Sequence, residues 1–161
     1  MAVRFLGARP RTRWELERRL RRGGVGESHL EATLLRLAEL GYVDDAAFAR
    51  WWGEQRDRHA PRGRRMIEAE LRQHGVGREV IEAYREEHVV PERAPEDELM
   101  PGTEDDRADV ALARHLKGRA VPDDQRARHR VAMFLVRRGF DPETVRGAMR
   151  RADRQPLDGA R

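Results

Sequence analysis

The chain copies itself, and the copying decides most of what it can fold into. Displaced by 51 positions, Pro10, Arg11 and Arg13 fall on Pro61, Arg62 and Arg64, and Leu16 and Leu20 on Ile67 and Leu71. Gly24-Val25 falls on Gly75-Val76, and Leu30-Glu31-Ala32 on Ile81-Glu82-Ala83. Displaced by 64, Asp45, Phe48, Ala49, Arg50 and Trp52 fall on Asp109, Leu112, Ala113, Arg114 and Leu116. The same displacement carries Arg64, Ile67, Leu71, Gly75 and Val76 onto Arg128, Val131, Leu135, Gly139 and Phe140. Each copy reads as helix, helix, tight Gly–apolar turn, helix. One unit of this size buries too little apolar surface alone, so neighbouring copies must share a core. The expected fold is all-α: three tandem three-helix, helix-turn-helix-like repeats in an elongated, curved array.

The stretch 41–50 is the hinge of the pattern. Gly41 is the natural residue to follow the periodic run Leu30, Leu34, Leu37, because glycine takes positive φ without strain. Asp44 is placed to cap the next helix, and Asp45 sits where the helix dipole favours an acid. Phe48, Trp51, Trp52 and Gln55 then give that helix a largely apolar side. Upstream, Thr12 and Glu15 have the spacing of a capping box.

These signals place repeat 1 at 2–43, repeat 2 at 44–90 and repeat 3 at 107–152. A short helix is expected over Ala2 to Ala8. Residues 91–106, acidic and proline-containing, show no helical apolar period and read as a linker. This insertion accounts for the different spacing of the two displacements. Residues 153–161 read as a frayed tail.

Charge is unevenly spread. Residues 1–24 carry eight Arg against two acids, 91–109 two Arg against eight acids, and 110–161 thirteen Arg and Lys against six acids. Basic segments flanking an acidic one favour an acidic or polyanionic partner. No apolar run is long enough to span a membrane, and none at the start resembles a signal peptide. Cysteine is absent, which excludes thiol chemistry and fits a cytoplasmic protein. There is no P-loop, no dinucleotide fingerprint and no zincin motif, and no two of the six His are spaced to share a helical metal site. Asp44-Asp45 and Asp105-Asp106 are explained by capping and solvation. No cofactor, metal or catalytic group is expected, and the protein is not expected to be an enzyme.

The best candidates for function are the Arg clusters. Arg13, Arg64 and Arg128 recur at one position of each repeat and would line a basic stripe if the repeats curve. Arg11, Arg18, Arg21, Arg22, Arg62, Arg65, Arg137 and Arg138 extend it. Tyr42 reads either as core beneath the hinge or as a partner contact with its hydroxyl in water. Trp52, matched by Leu116, reads as core, and Trp51 as the more exposed contact.

Three segments resemble the RecX family of bacterial recombination regulators: Arg9-Pro10-Arg11-Thr12-Arg13-Trp14-Glu15-Leu16, Gly41-Tyr42-Val43-Asp44-Asp45 with Phe48-Ala49, and Phe134-Leu135-Val136-Arg137-Arg138-Gly139-Phe140 with Val145. Together with Gly75-Val76, the resemblance spans residues 5 to about 150. It implies a monomer that binds the RecA recombinase filament, lies in its helical groove and blocks filament growth, ATP hydrolysis and strand exchange, restraining recombination and the SOS response. Weak non-specific contact with single- or double-stranded DNA is compatible with this. The chain departs from the family pattern in a short first helix, as if its start were late, and in a long acidic insertion. The competing reading is a helix-turn-helix DNA-binding regulator. Against it, Glu27, Glu79 and Glu143 open the helices that would enter the groove.

Overall fold

The computed structural model describes residues 9–88 and 103–154. The expected helix over Ala2–Ala8, residues 91–102 of the expected linker and residues 155–161 of the expected tail lie outside that range. Among the described residues every regular element is a helix: α1 Arg13–Arg22, α2 Glu27–Glu39, α3 Asp45–His59, α4 Arg64–Gln73, α5 Arg78–Glu87, α6 Glu104–Leu116, α7 Gln125–Arg137 and α8 Pro142–Arg154. The all-α, tandem three-helix organisation is the one the repeat pattern implies.

The recurring glycine is what recurs most closely in three dimensions. Gly24, Gly75 and Gly139 have φ of 84°, 75° and 88°, a region open to glycine at little cost. The amide after each reaches back to the last turn of the preceding helix: Val25 to the Leu20 carbonyl at 3.2 Å, Val76 to Leu71 at 3.0 Å, Phe140 to Leu135 at 3.3 Å. Gly41 (φ 72°) ends α2 the same way, with the Tyr42 amide 2.9 Å from the Leu37 carbonyl. This is the terminating motif expected of a glycine just past a helix.

The chain packs as two compact units, Met1–Gly53 with Glu68–Glu87 and Glu54–Ile67 with His88–Arg161. The division falls inside α3 and α4, not at the repeat boundaries. Unit 1 has a core of Leu16, Leu30, Leu34 and Val43. Phe48, Leu71, Ile81 and Tyr84 are also buried there. Unit 2 is built on Ala108, Leu112, Val131, Leu135, Phe140, Val145 and Met149.

Each unit contains one copy of the same joint, in which the start of one repeat's second helix meets the glycine turn of the next repeat. In unit 1 the Thr12 hydroxyl donates to the His74 carbonyl at 2.6 Å and accepts the Glu15 amide at 3.1 Å. The Arg13 amide donates to Asp45 at 2.8 Å, and a Cβ on Gly75 would lie 2.4 Å from that of Trp14. In unit 2 the Gly63 amide donates to the Arg138 carbonyl at 2.9 Å and the Arg64 amide to Glu104 at 3.0 Å. A Cβ on Gly63 would lie 2.3 Å from the Gly139 carbonyl, and one on Gly139 2.5 Å from Met66 Cβ. The repeats therefore interlock, which is why the packing units straddle them.

Three local expectations change. The capping box at Thr12 is only half formed, and the Glu15 carboxylate turns to Arg9 at 2.8 Å and His74 at 2.9 Å. The complete box is at Thr103, whose hydroxyl accepts the Asp106 amide while Asp106 accepts the Thr103 amide. Residues 104–106, read as linker, are thus the first turn of α6. Its first residue, Glu104, does for Arg64 what Asp45, first in α3, does for Arg13. Asp153 and Arg154, read as tail, are the last residues of α8.

Candidate partner-binding surface

The three recurring arginines are each engaged with an acid. Arg13 on α1 forms two hydrogen bonds to Glu31 of α2, at 2.7 and 2.9 Å. Arg128 on α7 holds Asp153 of α8 at 2.6 and 3.1 Å. The Arg64 side chain lies 3.8 Å from Glu104. These arginines tie a helix to its neighbour, and their positive field is partly cancelled by the acid they hold.

The remaining candidates divide by environment. Arg11 is largely turned in, 3.7 Å from Glu15. Arg18 lies over the Trp14 ring, 4.5 Å from its centroid, and Arg21 is held by Glu17 and Glu27. Arg22, Arg65 and Arg137 are exposed at the ends of helices or beside them, with no carboxylate partner among the described residues. Trp51 is half-buried against Phe48 and Trp52. Tyr42 is 49% exposed while Val43 is buried, so the reading of Tyr42 as core is corrected and its wet position stands. Trp52 is not enclosed as a core residue either. It is half-buried, with its indole N–H donating to Glu70 at 2.8 Å and its ring against Phe48 and His74.

The structure does bring two candidates together. Arg62 and Arg138 lie close enough, with Arg114, to act on one another. Burial, then the charges of Arg62 and Arg114, press the Arg138 guanidinium below its ordinary pKa. Arg138 donates to the Pro61 carbonyl at 3.2 Å and lies 4.6 Å over the Phe134 ring, which stacks on His115 at 3.8 Å. His115 is also pushed down, first by burial and then by Arg138, Arg119 and Arg137. A concentration of positive charge of this kind favours an anionic partner. The adjoining cleft, about 230 Å³, is smaller than the usual site for a metabolite, so a carboxylate or phosphate group fits the chemistry better than a cofactor. Arg114 and His115 were not singled out from sequence. Arg114 is the repeat of Arg50, and nothing in that spacing shows that it lies beside the Arg62 segment.

Among the described residues no group of three or more His, Asp or Glu is placed to hold a metal ion, and no helix is long and apolar enough to cross a membrane.

Comparison with known proteins matches these features to one family. Residues 1–47 match the model of the first three-helix domain of RecX, and residues 44–84 that of the second. The Regulatory protein RecX of Thermobifida fusca (strain YX) is 38% identical over 143 residues, which cover 87% of this chain and 70% of the relative. That of Mycobacterium avium (strain 104) is 35% identical over 87% of this chain and 75% of its own length. The crystal structure of RecX from Lactobacillus salivarius superimposes with a TM-score of 0.73 over 96% of this chain and 93% of that one, at 18% identity. That likeness concerns the fold, and it extends through the third repeat. On the sequence relatives and the two matched domains, the chain belongs to the RecX family of regulatory proteins.

Proposed function

We propose that this protein is a non-enzymatic regulator that docks on the RecA recombinase filament in the cytoplasm and lowers its ATP turnover, its growth and its strand exchange. Membership of the RecX family over most of the chain carries the reading. The electropositive cluster of Arg62, Arg114 and Arg138 supports it, because its positive field suits an acidic protein groove. Acids in the first turns of α2, α5 and α8, at Glu27, Glu79 and Glu143, speak against reading bases in a major groove, where they would meet phosphate. Weak, salt-sensitive DNA contact through the same arginines is compatible with a protein partner.

The test is a titration into RecA recombinase assembled on single-stranded DNA, following ATP hydrolysis. The expected result is inhibition well below one copy per recombinase protomer, weakened by the double substitution R114E/R137E. Unchanged turnover at equimolar protein would overturn the proposal.

A further inference from the structure

The repeats allow the groove between the last two helices of each to be compared position by position. Repeats 1 and 2 carry Glu17 and Glu68, each paired with the arginine four residues on, Arg21 and Arg72. In repeat 2, Arg85 of α5 also closes on Glu68 through two hydrogen bonds of 2.8 Å. Carried forward by the 64-residue displacement, Glu68, Arg72 and Arg85 become Ala132, Val136 and Met149. An ion-paired clasp in repeat 2 is an apolar floor in repeat 3.

The rim changes sign as well. Glu82 and Glu86 of α5 become Arg146 and Arg150 of α8. Arg13 of repeat 1 pairs with Glu31, but the equivalent of Glu31 in repeat 3 is Arg146, and Arg128 turns to Asp153 instead. The result is an open groove of about 860 Å³ between α7 and α8, with Ala132 and Met149 in its floor and Arg126, Arg130, Arg146 and Arg150 around it. No carboxylate lines it. All four arginines are exposed, and none is ion-paired among the described residues. Four like charges around one groove repel one another.

We infer that this groove is a docking site for an acidic amphipathic helix of a partner protein. The helix lays apolar side chains on Ala132 and Met149, and its carboxylates meet the four arginines. A nucleic acid backbone would use the arginines but gain nothing from the apolar floor, and that asymmetry favours the peptide. The inference goes beyond the recombinase reading and does not depend on it.

The experiment uses the full chain and a fluorescein-labelled helical peptide of leucine and glutamate, about four turns long, with its leucines on one side. Anisotropy is read at low ionic strength. R146E/R150E, which restores the acids of repeat 2, is expected to weaken binding by about tenfold or more. A132E/M149R, which carries the repeat 2 clasp residues into the groove, is expected to do the same, with its fold checked by circular dichroism because Met149 also belongs to the unit 2 core. A peptide of the same composition with its leucines spread around the helix should bind about tenfold more weakly. Equal affinity of the wild type and R146E/R150E would overturn the inference. So would equal binding of the two peptides combined with full competition by an oligothymidylate, which would assign the groove to nucleic acid. If A132E/M149R does not fold, R146E/R150E decides, since its changes are confined to exposed side chains. Recombinase ATPase is not read, so a failure of the recombinase proposal leaves this result standing.

Discussion

Where unit 1 buries the hydroxyl of Thr12 against the carbonyl of His74, unit 2 sets the bare backbone of Gly63 against the carbonyl of Arg138. In both, a helix N-terminal amide goes to an acid that opens a later helix, Asp45 in one and Glu104 in the other. The backbone arrangement is held constant and the side chains that deliver it are exchanged. The charged groups beside the joints differ more. Unit 1 has Glu15 between Arg9 and His74, with the Glu15 side chain 13% and that of His74 24% exposed. Unit 2 has Asp57 and Arg107 at 2.8 Å, both nearly closed to solvent. Burial would raise the Glu15 pKa, but the hydrogen bonds from Arg9 and His74 outweigh it and the carboxyl is held below its ordinary value. For Asp57 burial prevails over the Arg107 charge, and the carboxyl is held above it. A half-open clasp therefore stabilises at neutral pH, whereas a closed pair chiefly penalises the loss of either member.

The sharpest way to break this contrast is Asp57→Ala. It strands the Arg107 guanidinium in the interior and should cost about 3–5 kcal/mol. The double substitution D57L/R107M should restore much of that, because apolar residues of similar volume replace a buried pair at little loss. Urea unfolding followed by circular dichroism measures both. All three tryptophans, Trp14, Trp51 and Trp52, lie in unit 1, so helicity should fall before tryptophan emission changes in D57A.

Next come the joints themselves. Gly63→Ala forces a methyl against the Gly139 backbone, which has no rotamer to yield, and should cost about 3 kcal/mol. Thr12→Ala removes a cap and the hydroxyl bond to His74 and should cost about 1–2 kcal/mol. Equal losses in chemical denaturation would show that the two joints do not differ as described.

Glu15→Gln should have the smallest effect and the clearest pH signature. A carboxyl whose folded pKa is lowered contributes stability above its unfolded pKa, and that contribution is lost as pH falls through the folded value. The stability gap between wild type and E15Q should therefore be full at neutral pH and close on acidification below the usual carboxylate range. A gap that does not vary with pH would assign the effect to shape, not charge.

Local chemistry made much of this fold legible. Positive-φ glycines, the Thr12 and Asp44 caps and the spacing of Leu16, Leu30 and Leu34 are all written in nearest neighbours, and all occur in the structure. What local patterns could not carry was the destination of a side chain. Asp45 looked like an acid serving its own helix, yet it takes the amide of Arg13, 32 residues earlier. Arg13, Arg64 and Arg128 read as a stripe because they recur, and recurrence did not reveal their acids, which lie 18 to 40 residues away. Tyr42 and Val43 are adjacent apolar residues after one turn, and only one can face inward. Val43 does, and no periodicity distinguishes the two. Of the proposed surface, the Arg62 and Arg138 segments were visible as clusters, whereas their approach to each other depends on the interlock.

That interlock has a consequence for synthesis. The acceptor for the Thr12 hydroxyl lies 62 residues downstream, so the opening segment leaves the ribosome well before its lid exists. The nascent first repeat carries its buried hydroxyl and the inner side of Trp14 exposed until His74 and Gly75 have been translated. A message truncated after repeat 1 should therefore yield a proteolysis substrate in place of a small working module.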